Sequence, residues 1–220
     1  MTGKPNEFLR PTPFIDADAP TIAAWAREHA AGAADTRDAA VKLYYAVRDG
    51  FRYDPYRVDL SVAGLRASAT LANGYGWCVS KAVLLAAGCR ALEIPARLGF
   101  ADVRNHLSTE RLRTQMKTDL FAWHGYTSIE IDGRWVKATP AFNLQLCEKF
   151  QLRPLEFDGR EDSIYHPFDL AGNRHMEYVT ERGEFADVPI DAMRETFAVM
   201  YPYLETLERA DFEADVARET

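Results

Sequence analysis

The first half of the chain carries apolar residues at helical spacing, and the second half carries them at strand spacing. Ile22, Trp25, Ala26 and His29 share one face of a predicted helix, with Asp18 or Thr21 as its cap and Gly32 as its end. Ala40, Val41, Leu43, Tyr44, Val47 and Phe51 predict a second helix, capped by Thr36 and closed by Gly50. Between residues 79 and 92 the pattern changes, because only Ser80, Lys81 and Arg90 are strongly polar there. A helix apolar nearly all round is a buried helix, so this one is predicted to be central. Ile94-Pro95 stops it. Residues 1–20, with four prolines, read as an extended arm. The stretch from Tyr53 to about Gly76 reads as a long loop with a short turn or helix at 68–71.

Strands are predicted at 96–103, 120–131 and 134–139, with a further short one at 176–180. Residues 104–118 read as a polar loop or exposed helix, 144–150 as one or two helical turns, and 153–175 as a loop. Residues 191–218 read as a helix kinked at Pro202. Asp132-Gly133 is a strong two-residue hairpin signal. With that turn Ile131 faces Arg134, Tyr126 faces Thr139, and His124 has Thr139 and Asn143 as diagonal neighbours. Trp123, Thr127, Ile129, Val136 and Ala138 fall on the opposite, core side. Helices first, then strands after a central helix, predict an α+β fold with an antiparallel sheet.

Composition narrows the function. A 220-residue chain with 47% hydrophobic content suits a single domain with a real core. Its net charge is -7, its pI is about 5.3 and its basic residues are scattered, so nucleic acid is not expected as a partner. No apolar run is long enough to span a membrane and the first residues show no signal-peptide core, so a cytoplasmic protein without membrane contact is expected. Three cysteines form no framework. On one helix Cys78 and Cys89 would stand roughly 16 Å apart, too far to bridge. The composition leaves the oligomeric state open.

Cys78 opens the central helix, directly after Gly74-Tyr75-Gly76-Trp77. Free N–H groups at a helix start lower a thiol pKa and favour the thiolate nucleophile, whereas most free cysteines are small buried hydrophobes. A nucleophile needs a base, and the base needs a group that orients it. The hairpin supplies His124 as base and Thr139 or Asn143 as orienter. Trp77 and Trp123 stand beside the cysteine and the histidine as walls of an acyl pocket or as core anchors. Tyr126, on the histidine's face, is a third candidate substrate contact. His29, His106, His166 and His175 read as surface residues. No spacing supports zinc, and no cofactor is expected.

These stretches resemble the transglutaminase-like superfamily of cysteine-dependent acyl-transfer enzymes. The resemblance rests on Gly76-Trp77-Cys78-Val79-Ser80-Lys81-Ala82, on Cys89-Arg90-Ala91-Leu92-Glu93-Ile94-Pro95-Ala96-Arg97, on His124, and on Asp132-Gly133-Arg134-Trp135-Val136. It covers about residues 36–143, leaving 144–220 as a C-terminal elaboration of one domain. It implies a papain-like core in which the nucleophile helix packs on an antiparallel sheet, with helical additions at both ends. It carries the nucleophile onto Cys78 and the base onto His124. The family's aspartate falls at Thr139, which can accept a hydrogen bond but cannot neutralise an imidazolium, and Asn143 would be a papain-like substitute. No acidic loop suggests calcium. The resemblance implies cysteine-dependent hydrolysis of a peptide or small amide through a thioester. A catalytically inactive binding or scaffolding module is the alternative, and acyl transfer from a thioester cofactor is a third reading.

Overall fold

The computed structural model describes residues 6–105, 108–164, 170–172, 176–202 and 210–219. After a short 3-10 turn at Glu7–Leu9, α1 runs from Pro20 to His29, with Pro20 rather than Asp18 or Thr21 marking its start. Proline suits the first turn because its missing N–H would have had no partner there. Helix α2 (Thr36–Gly50) is capped by Asp35, whose carboxylate accepts the Asp38 N–H at 2.8 Å, one residue before the expected cap. The long loop then folds on itself. Strand β1 (Arg52–Tyr53), helices α3 (Val62–Leu65) and α4 (Ala67–Asn73), and β2 (Tyr75–Gly76) follow in turn, with β1 and β2 pairing in parallel. Gly74 ends α4 with φ 71, a left-handed cap suited to glycine.

Helix α5 (Cys78–Ala91) is buried from Cys78 to Arg90, as its all-round apolar pattern demands. Its first turn is tied by Ser80, whose hydroxyl accepts the Trp77 N–H at 3.0 Å. A side chain on Gly76 would collide with that hydroxyl, so this glycine serves close packing rather than a sharp turn. Two buried cations stand along α5. Lys81 faces backbone carbonyls, and Arg90 near the far end donates to the carbonyls of Arg10, Ala96 and Ala186.

Strand β3 (Ala96–Asn105), helix α6 (Glu110–Met116), β4 (Leu120–Ile131), β5 (Arg134–Ala138), α7 (Leu144–Lys149) and β6 (Met176–Phe185) follow. The sheet has the order β5-β4-β3-β6 and is antiparallel throughout. The hairpin has the expected register, from Ile131↔Arg134 to Thr127↔Ala138. Gly125 and Thr127 face α5. A Cβ on Gly125 would stand 3.0 Å from the Val79 Cα, and the Thr127 hydroxyl donates to the Ala82 carbonyl at 2.9 Å. Tyr126 lies on the other face, over Gly99, where a side chain would collide with its ring.

Helices α8 (Ile190–Met200) and α9 (Phe212–Glu219) close the chain. The predicted kinked helix is therefore interrupted: α8 stops before Tyr201, because a residue preceding proline is pushed out of the helical region. The predicted strand at 176–180 continues to Phe185, since β3 offers it a full-length neighbour. No helix among the described residues is long and apolar enough to cross a membrane. Residues 106, 166 and 175, three of the five histidines, lie outside the described residues.

Candidate active site

Cys78 is the first residue of α5 and His124 lies on β4 where that strand passes the helix start. Both line one narrow cleft with about 50 Å³ of room, enough for a few waters or one slim group. Its other walls are mainly apolar: Tyr53, Trp77, Phe142, Met176, Phe197 and Tyr201 stand among them. Cys78 is 6% exposed and His124 5%.

The sulfur feels two opposed influences. Burial is the larger and pushes the thiol up to about 11, while the N–H groups of Gly125, Val79 and Cys78 itself pull it down. The helix start acts in the expected direction, but desolvation outweighs it.

A bulge shapes the strand beside the histidine. The β3–β4 register shifts between Ala101 and Val103, and Trp123 there has φ 60. A left-handed tryptophan is strained and needs support. Asp102 gives it, accepting the Trp123 N–H at 3.1 Å and pairing with Arg182, whose guanidinium lies over the Trp123 ring. Tyr201 braces the same strand, accepting from the Ala122 N–H at 2.7 Å and donating to the Leu120 carbonyl at 2.8 Å.

The structure gathers Cys78, His124 and Trp77 at the cleft, whereas Trp123, Tyr126, Thr139 and Asn143 do not line it. Trp123 packs on Phe100 and Phe185, so it anchors the core rather than the cleft wall. Tyr126 stands on the far face of the sheet, donating to Glu184 at 3.3 Å. Thr139 donates its hydroxyl proton to the Ile164 carbonyl at 3.0 Å, and its N–H goes to Ser163. Asn143 lends its amide oxygen to the Tyr53 N–H at 3.1 Å. Tyr53, Phe142 and Tyr201 are cleft residues that sequence reasoning missed. Tyr53 had one signal, its position at the start of a long loop, and the others had none. Among the described residues no group of three or more His, Cys, Asp or Glu side chains could hold a metal ion.

A nucleophile helix packed on an antiparallel sheet, with cysteine and histidine meeting in one cleft, defines a papain-like arrangement. The family model of the transglutaminase-like superfamily matches residues 23–140, and the chain belongs to that superfamily. Among solved structures it resembles a candidate cysteine protease from Cytophaga hutchinsonii, with a TM-score of 0.53 and 17% identity over 85% of this chain. The match spans 48% of the Cytophaga chain, so this chain corresponds to about half of that protein. A candidate protease from Parabacteroides distasonis aligns more loosely, with a TM-score of 0.39 and 12% identity over 62% of this chain and 27% of its own. No curated protein matches the chain.

Proposed function

We propose that the chain is a cysteine-dependent amide hydrolase working through a thioester. The observation that carries this reading is that Cys78, at the start of a buried helix, and His124 line the same cleft. Because burial holds the resting thiol neutral, His124 takes the thiol proton as sulfur attacks the carbonyl carbon. The C–S bond forms and the carbonyl oxygen becomes an oxyanion, stabilised by N–H groups at the helix start. The C–N bond then breaks, and the amine leaves with the proton from the imidazolium. Water, deprotonated by His124, attacks the thioester to release a carboxylic acid and restore the thiol.

Thr139 is the proposed orienter of the imidazole. Its proton is committed to Ile164, but its hydroxyl oxygen keeps lone pairs that can accept an imidazole N–H. Trp77 is the proposed substrate contact, and the narrow apolar cleft suits a slim acyl group of a peptide or small amide. The test is labelling by an electrophilic amide probe, with the modified site read by mass spectrometry. Labelling at Cys78, lost in Cys78→Ala, is expected. Absence of Cys78 labelling in a folded protein rejects hydrolysis and leaves the binding-module reading.

A further inference from the structure

Lys81 lies three residues beyond Cys78 on α5 and is 0% exposed. Its ammonium donates to the carbonyls of Phe51 at 2.6 Å, Ala141 at 2.7 Å and Arg48 at 2.9 Å. Three donors meet three acceptors, so the group is saturated. The acceptors come from two separate places: the C-terminal end of α2, where Phe51 leads into β1, and the loop after β5. Phe51 is two residues before Tyr53, and Ala141 directly precedes Phe142. Tyr53 and Phe142 are both cleft walls, and they meet edge to face with centroids 4.8 Å apart. The Tyr53 N–H to Asn143 bond closes the circuit from Lys81 through both walls and back.

A lysine without exposure is costly, and among the described residues no carboxylate pairs with this one. The nearest charged or titratable groups are Arg48 and Asp49 of α2 and Cys147 of α7, and the Asp49 carboxylate is engaged by Arg48. Packing alone would favour an apolar side chain here. We propose that Lys81 is a positioning residue: its ammonium holds the Tyr53 and Phe142 walls in register with the helix that bears Cys78. This inference rests on the Cys78–His124 reading of the cleft.

The test compares two reactions of Cys78 in wild type and Lys81→Met. Alkylation by iodoacetamide needs only the thiolate, whereas acylation by p-nitrophenyl acetate also needs a formed cleft. At a temperature where near-UV circular dichroism shows the variant folded, acylation should fall tenfold or more while alkylation stays within threefold. Equal losses in both, or no loss in either, overturn the proposal. A wild type in which neither reagent reacts at Cys78 fails the underlying reading, and this proposal with it. If Lys81→Met does not fold, hydrogen exchange of the wild type from pH 6 to 10 decides instead. Burial pushes the ammonium down to about 7. Protection of 51–53 and 141–143, corrected for intrinsic base catalysis, should fall as that proton leaves, with α5 unchanged. Constant protection in both segments overturns it.

Discussion

The amide oxygen of Asn143 accepts the backbone N–H of Tyr53 at 3.1 Å. This bond bears on the choice between the two orienters left open by the sequence. It gives the Asn143 oxygen a structural task at a cleft wall, and Thr139 is kept as the proposed orienter. Thr139→Val should lower the rate of Cys78 acylation by p-nitrophenyl acetate about tenfold, beyond the roughly 1 kcal/mol of stability lost with its hydrogen bond to the Ile164 carbonyl. Asn143→Ala should lower stability by a similar amount, about 1 kcal/mol, and leave the acylation rate of the folded variant nearly unchanged. Kinetics and denaturant titration on both variants check this, and a Thr139→Val enzyme with full activity would reject the orienter.

The thiols should react in a set order and with a set pH dependence. Cys78 opens onto the cleft, whereas Cys89 and Cys147 are 0% exposed. Burial raises all three, to about 11 for Cys78, 12 for Cys89 and 11 for Cys147. Iodoacetamide should modify Cys78 first, and its rate should climb steadily from pH 7 to 10. A plateau between pH 6 and 8 would instead reveal a preformed thiolate–imidazolium pair.

Gly125→Ala should damage the site through its packing. The new methyl would lie 3.0 Å from the Val79 Cα and 3.1 Å from its Cγ2. A backbone neighbour cannot swing aside, so the start of α5 must shift. A loss of about 1–3 kcal/mol is expected from such overpacking, read by urea denaturation. Cys78 acylation should slow in the folded variant as well, since the displaced residues flank the sulfur. An alanine variant as stable and reactive as wild type would show that helix and strand are not held this tightly.

Acid should release α9 before the rest. Asp215 is 3% exposed and accepts from the Tyr56 hydroxyl at 2.9 Å and from Arg111 at 2.6 Å, with Arg218 also paired to it. These partners hold its carboxyl below the ordinary value of 3.8. A lowered carboxylate stabilises the fold above its unfolded pKa, and that contribution disappears as pH falls through the folded pKa. Hydrogen exchange of 212–219 should therefore rise below pH 3.8 ahead of α5, and Asp215→Asn should raise it at neutral pH. Unchanged protection of α9 in that variant would refute the linkage.

The elements nearest the proposed chemistry were the most legible. Fourteen residues with almost no polar side chain could form nothing but a buried helix, and Asp132-Gly133 fixed the hairpin register down to Thr127 and Ala138. The bulge at Trp123 was not legible, because it depends on Asp102 and Arg182 from two other strands. Trp123 itself packs in the core, the side to which the hairpin register assigned it. Tyr201 and Phe197 joined the cleft from α8 and its end, more than seventy residues beyond His124, and no local pattern announces such a meeting. The pKa of Cys78 was legible only in part for a related reason: the helix start is local, whereas the walls that exclude water come from the whole chain.

Helix α5 has no flank that water would accept, and this bears on how the protein is made. Helices α1 and α2, which cover one side, leave the ribosome before it, but β3 and β4 leave afterwards. Until residue 131 or so has emerged, half of α5 lies bare, a state open to aggregation or to capture by a chaperone. The strand that finally covers the helix is also the strand that carries His124. Burial of the helix and the arrival of His124 beside Cys78 are thus one event in the life of the chain. A nascent protein ending before β4 holds Cys78 with neither His124 nor the far walls of the cleft beside it.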